Sequence, residues 1–297
     1  NIMGTASAGA AIALRAVLDK LPGTIKMIGT PAEEGGAGKV IMAQAGVFDG
    51  LDAAMMVHPS TRTLVARRSL ACQELKIEFF GKAAHAAASP DNGINALDAV
   101  ILTFNGINAL RQHVRDDVRI HGIITNGGAA PNIVPDYASA EFLVRAADRP
   151  YQLEVMERVE ECARGAALAT GAEVKLTRAP LYYDSMMPNM VLANLFAENL
   201  RQLGLEVDDP GERERMGSTD MGNVSHVVPT IQPYIAIAPE EVAGHSVEMR
   251  EAAVSPAGHA GMLNAARALA MTAVDLLCNP DLVRRAWEEF HNNNQRQ

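Results

Sequence analysis

Between residues 70 and 178 the chain carries an unbroken series of periodic segments, and nothing else in the sequence restricts the fold as much. Residues 73–80 alternate apolar and polar as a strand does, and 94–114 have helical period. Two more strands follow at 118–125 and 137–146, then a helix at 151–170 and a last strand at 172–177. The order β-α-β-β-α-β is the split βαβ arrangement of a ferredoxin-like α+β unit. The flanking sequence has a different rhythm. A helix at 6–21, a strand at 24–29, a loop at 31–36, a helix at 38–45 and a strand at 53–58 precede the series. A helix at 190–203, a strand at 231–238 and a long helix at 256–277, with Pro256 in its first turn, follow it. Helix and strand alternating in this way predict an α/β domain on a mostly parallel sheet. The expected organisation is therefore one α/β domain made from residues 1–69 and 179–297, interrupted by an inserted domain at 70–178.

A length of 297 residues with 48% hydrophobic content supports two cores. The formal charge of −9 argues against nucleic acid as the main partner, because phosphate binding needs a concentrated basic face. Apolar runs such as 53–57 and 231–238 fall short of the roughly 20 residues a membrane span needs. Cys72, Cys162 and Cys278 are widely spaced and form no Cys-x-x-Cys pair, so they read as free thiols in a reducing cytoplasm. The opening Asn1-Ile2-Met3-Gly4 resembles neither an initiator sequence nor a signal peptide and reads as the start of a fragment, with a strand and turn expected ahead of the first helix.

Chemistry concentrates at strand ends. Glu33 and Glu34, in Pro-Ala-Glu-Glu-Gly-Gly, follow an apolar strand, where the edge of a parallel sheet places its ligand crevice. In extended backbone the two side chains point to opposite sides, so one carboxylate can hold a metal while the other acts as a general base. The bland alternative is a solvated acidic loop. His58 closes the next strand and is followed by Pro59; it is either a satisfied structural histidine or the imidazole that zinc and manganese sites use beside a carboxylate. His245 lies in a loop able to reach the same crevice, and the glycine-bounded Gly-Ser-Thr-Asp-Met-Gly loop is a pocket lining or a turn, with Asp220 a poor candidate for a ligand.

In the inserted domain His85, flanked by alanines, is accessible enough to donate to a developing oxyanion. Asn132 and Arg145 read as a donor pair for a substrate carboxylate, with turn chemistry and a surface ion pair as the alternatives. His113, His121, His226, His259 and His291 read as structural or solvated.

With these residues in place the chain resembles the aminoacylase and glutamate carboxypeptidase family of metallopeptidases over essentially its whole length. The motifs that carry the resemblance are Gly-Thr-Pro-Ala-Glu-Glu-Gly-Gly, Val-His-Pro at His58, Gly-Lys-Ala-Ala-His at His85, Asn-Gly-Gly-Ala-Ala-Pro-Asn-Ile-Val-Pro around Asn132 and Gly-Ser-Thr-Asp-Met-Gly-Asn-Val-Ser. They are most similar to the branch with Xaa-Arg (β-alanyl-lysine) dipeptidases and p-aminobenzoyl-glutamate hydrolases. The resemblance implies a zinc-exopeptidase-like α/β domain with helices on both faces of its sheet, and an inserted ferredoxin-like domain that forms a homodimer. It implies hydrolysis of an amide bond in a small substrate with a free carboxylate, by a metal-activated water. Glu33 then matches the general base, Glu34, His58 and His245 match ligands of one or two Zn2+ or Mn2+ ions, His85 matches the oxyanion donor that reaches a partner subunit's site, and Asn132 and Arg145 match substrate-binding groups. The family's Cys-Gly-His segment, with two further ligands, is expected immediately before Asn1. The rival reading is a non-catalytic binding or dimerisation homologue with an incomplete metal site, and an aminoacylase acting on N-acyl amino acids would use the same residues.

Overall fold

The structure, a computed structural model, describes residues 1–209 and 216–294. It divides into two compact units, one made of Asn1–Ser69 with Met186–Gln297 and the other of Leu70–Ser185. In chain order the first unit opens with α1 (Ile2–Arg15), α2 (Glu33–Gly36), α3 (Gly38–Gln44), β1 (Ala54–Met55) and β2 (His58–Ser60). The second contains β3 (Ala71–Phe80), α4 (Ala96–Leu110), β4 (Arg119–Asn126), β5 (Tyr137–Ala146), α5 (Arg149–Thr170) and β6 (Glu173–Arg178). The first resumes with α6 (Met190–Gln202), α7 (Met221–Ser225), β7 (Thr230–Ile231), β8 (Tyr234–Ala236), α8 (Val247–Ala252), α9 (Pro256–Cys278) and α10 (Pro280–Asn294).

The second unit is an antiparallel sheet of order β4-β5-β3-β6, the order a split βαβ series produces. Alternation decides its register: Leu75, Ile77 and Phe79 of β3 and Ala138, Ala140, Phe142 and Val144 of β5 all turn to one face and are buried. That face packs on Val100 and Ile107 of α4 and on Val155, Met156 and Val159 of α5. Burial of each such large apolar side chain stabilises by about 1.5–3 kcal/mol. The two helices start where polar side chains satisfy their free N–H groups. Asn95 accepts from the Leu97 and Asp98 amides, and Asp148 accepts from the Tyr151 amide. Gly171, at φ +77°, ends α5 in the left-handed region. The unit runs to Ser185, past the expected boundary at 178, because Cys72 and Tyr183 exchange both backbone hydrogen bonds at 2.9 Å and extend the pairing beyond β6.

In the first unit β1 pairs with β7 and β2 with β8, both in parallel. The expected strands at 53–58 and 231–238 are thus each broken in two. Pro233 lies in the break and has no N–H to give the ladder. Residues 24–29, expected as a strand, carry no ladder pairing among the described residues. Helix α9 is long and apolar enough by length and composition to cross a bilayer, but Ala265, Ala268, Leu269 and Ala273 bury themselves against α1 and α6, as a core helix does. Helix α10 adds to the elements expected from the sequence. It buries Ala286 and Phe290, its Ala286 carbonyl accepts from the Asn189 side chain at 2.8 Å, and the Glu289 carboxylate caps α6 through the Met190 and Val191 amides.

Candidate active site

The acidic loop is wound more tightly than an extended strand end. Ala32 (φ +58°) and Ala37 (φ +49°) both occupy the left-handed region, which costs a non-glycine residue about 1 kcal/mol or more. Gly38, the first residue of α3, must be a glycine, since a Cβ there would stand 1.8 Å from the Pro31 carbonyl oxygen. The backbone here is curled and not the extended chain expected, and the two carboxylates differ in their surroundings. Glu33 is half-buried, whereas the Glu34 side chain is 78% exposed. Burial raises the Glu33 carboxyl above the ordinary glutamate value, and the negative charges of Asp220 and Glu34 add to the effect. The Thr219 hydroxyl donates a hydrogen bond to Glu33 and partly offsets it.

His58 stands at the start of β2, opposite Tyr234 of β8, and its ring stacks on that tyrosine with 4.9 Å between centroids. Its Nδ1 lies 2.7 Å from the Pro59 carbonyl oxygen. A carbonyl only accepts, so Nδ1 carries the proton and Nε2 keeps a free lone pair in the neutral ring. Burial lowers the His58 pKa and favours that neutral form. His245, at φ +58°, is strained in the loop before α8 and brings its Nδ1 to 3.9 Å from Glu34 Oε1. Arg67, Glu34 and His245 are the charged groups close enough to act electrostatically on His58.

A carboxylate and two imidazoles therefore share one neighbourhood. Their donor chemistry fits a borderline divalent ion such as zinc, with the His58 tautomer fixed by a backbone carbonyl as ligating histidines usually are. They form part of a coordination sphere and not a closed one: among the described residues no group of three or more His, Cys, Asp or Glu side chains is gathered tightly enough to hold an ion.

The residues behind this loop are marked in the sequence only by the glycine-bounded segment that holds Thr219 and Asp220. Asp220, a poor ligand candidate by its sequence context, has its side chain fully buried in an ion pair with Lys39, itself 4% exposed. Lys39 Nζ reaches Asp220 Oδ1 at 2.8 Å, and the Lys39 amide donates to Oδ2 at 2.9 Å. The two residues are 181 positions apart, so no local pattern could pair them. The one available signal was a lysine in the first turn of a helix otherwise apolar on that side.

The remaining candidates belong to the second unit. His85 is exposed beyond the end of β3, and its Nδ1 accepts from the Ala87 and Ala88 amides at 3.3 and 3.2 Å. The proton of the neutral ring is thus on Nε2, which leaves a donor directed away from its own loop. Asn132 is next to it: its carbonyl accepts from the Ala86 amide at 3.0 Å, and Ile133 bridges to His85. Arg145 is elsewhere. The register sets Tyr137 opposite Phe80 at one end of β5 and Arg145 opposite Cys72 at the other, a run of roughly 26 Å at about 3.3 Å per residue. Asn132 and Arg145 therefore do not form a donor pair within one copy of the chain.

Comparison with known proteins gives one consistent answer. The profile of peptidase family M20/M25/M40 matches residues 1–257. Xaa-Arg dipeptidase from Mus musculus is 39% identical over 296 residues, covering 98% of this chain and 68% of the relative. A p-aminobenzoyl-glutamate hydrolase polypeptide from Escherichia coli K12 is 31% identical over 347 residues, covering 97% of this chain and 72% of the relative. Among solved structures, the aminobenzoyl-glutamate utilization protein of Klebsiella pneumoniae superposes with a TM-score of 0.69 at 22% identity, over 91% of this chain and 66% of that one. A dinuclear metal-binding peptidase of Bacillus subtilis gives 0.65 at 22% identity, over 92% and 70%. The chain thus spans about two thirds of the length of these proteins, and the solved structures support an α/β fold with parallel strands.

Proposed function

Because the chain belongs to peptidase family M20/M25/M40, we propose that its residues serve the metal-dependent hydrolysis of an amide bond in a dipeptide or an N-acyl or aminobenzoyl amino acid. The observation that carries the proposal is the division of labour at the acidic loop: a half-buried Glu33 with raised pKa beside an exposed Glu34 that neighbours His245 and His58. Glu34, His58 and His245 would hold a divalent ion, zinc or manganese. When bound, the ion supplies Lewis acidity, which polarises the amide carbonyl and lowers the pKa of the attacking water.

The chain's own groups do the rest. Glu33 accepts the proton of the attacking water, a task suited to a carboxylate whose pKa burial raises above the ordinary glutamate value, and returns it to the leaving amine. His85 holds its proton on Nε2 and donates it as a hydrogen bond to the developing oxyanion. Asn132 and Arg145 bind the substrate's polar groups, Arg145 as a bidentate partner for a carboxylate. An uncapped carboxylate on the substrate is therefore expected to matter. Dipeptides or p-aminobenzoyl-glutamate should be cleaved, and the matching carboxamides should lose about 10- to 100-fold in kcat/KM, as a charged hydrogen bond of about 1.5–3 kcal/mol implies. Equal rates on the two would remove Arg145 from the substrate site.

The chain acts as a homodimer through the second unit. β4 is an edge strand with Ile123 65% and Ile124 45% exposed, an apolar edge of the kind that pairs with another copy. Antiparallel pairing of two such edges about a two-fold axis sets the Arg145 end of one sheet beside the Asn132 end of the other, which supplies the donor pair that one copy lacks. An Ile123→Lys, Ile124→Lys variant should sediment as a monomer and lose turnover while its thermal transition persists. A variant that stays dimeric would rule out this edge.

A further inference from the structure

Two adjacent residues, Thr219 and Asp220, hold opposite ends of the strained acidic turn. Thr219 donates its hydroxyl to Glu33 at the turn's start, and Asp220 grips Lys39 at its exit through both the side-chain ammonium and the backbone amide. Left-handed Ala32 stands just before the first anchor, and between the anchors the chain passes through left-handed Ala37 and through Gly38, which admits no side chain, so the turn would relax if either end were released. Asp220 stands at the N-cap position of α7, where an aspartate ordinarily accepts from its own helix. It makes no such bond here, and its two oxygens go to Lys39. The Thr219 hydroxyl in turn accepts from the Met221 amide at 3.3 Å, which orients its proton toward Glu33.

We propose that the Thr219–Asp220 step, with Lys39, is the positioning device for Glu33: it fixes the geometry of the general base without touching substrate or metal. The inference rests on the reading of Glu33 as the base. Lys39 and Asp220 are then positioning residues, and their charges are held by each other so that the turn can be pinned by buried groups. Displacing a catalytic group by about 1 Å costs on the order of 10²-fold in rate.

The test uses the intact protein loaded with Zn2+, with kcat, KM, zinc affinity by calorimetric titration and the thermal transition measured for each variant. Asp220→Asn keeps an acceptor for the Lys39 amide and removes the ion pair. It should lower kcat about 10- to 100-fold, with KM and zinc affinity within about threefold of the parent. Thr219→Val, which leaves the ion pair intact, should lower kcat about tenfold, and Thr219→Ser should recover it because the hydroxyl returns. The Thr219 pair decides the matter if Asp220→Asn fails to fold. Two results would overturn the proposal: turnover within about twofold of the parent in both Asp220→Asn and Thr219→Val, or a fall in kcat that follows loss of zinc affinity or of folded protein. A parent that cleaves no amide, or a Glu33→Gln variant that still turns over, would instead sink the reading of the base itself.

Discussion

Glu33→Gln is expected to retain bound metal and to lose about 10²- to 10⁴-fold in kcat, the range general-base catalysis supplies, or about 3–5 kcal/mol of barrier. Glutamine has the same length and can still accept the Thr219 hydroxyl, so the turn should keep its shape. What it loses is the ability to take a proton. The neighbouring Glu34 does not substitute, because the turn sends it outward, with 78% of its side chain exposed and its Oε1 3.9 Å from His245. Metal content should therefore be unchanged in Glu33→Gln and reduced in Glu34→Gln. Elemental analysis beside turnover on one preparation of each variant separates the two roles. A Glu33→Gln enzyme with parental kcat would reassign the base.

The parts of the fold legible in the sequence are those set by local periodicity. Alternation in 73–80 and 137–146 gives strands whose buried faces are Leu75, Ile77, Phe79, Phe142 and Val144, and the two helices begin at Asn95 and Asp148, where short polar side chains can cap them. Features set by distant pairing are not legible. Asn132 and Arg145 look like neighbours because they stand close in sequence, but an extended β5 carries them to opposite ends of one sheet. The break in the parallel ladder needs only Pro233, yet its effect depends on knowing that β2 and β8 pair. The Lys39–Asp220 pair joins positions 181 apart and inverts the usual expectation that lysine is exposed. Helix α10 is not among the expected elements although its period is helical: Leu282, Val283, Ala286, Trp287 and Phe290 recur on one face, with Ala286 and Phe290 buried.

The site is legible in type more than in arrangement. Glu33, Glu34, His58 and His245 stand out for residue chemistry at strand ends and loops, and the structure brings the last three into one neighbourhood. It also adds two facts that sequence does not carry: the tautomer of His58, set by the Pro59 carbonyl, and that of His85, set by two backbone amides. Both put the available nitrogen where the proposed chemistry needs it, a lone pair on His58 and a proton on His85.

Removal of the divalent ion is expected to have the largest effect of all. Glu33 is a weak base toward bulk water even with its pKa raised by burial, and the amide carbonyl is a poor electrophile without polarisation. Acid–base help from Glu33 and a single donor from His85 account for only part of the acceleration amide hydrolysis requires. A non-catalytic homologue would fold and pair its sheets in the same way and would be indifferent to chelation. The decisive measurement is release of free amine from a dipeptide or p-aminobenzoyl-glutamate by the intact protein, taken before chelation, after chelation and dialysis, and after zinc or manganese is restored. The proposed function predicts turnover that vanishes on chelation and returns with the metal. Turnover that survives complete removal of the metal, or none in any of the three states, would contradict it.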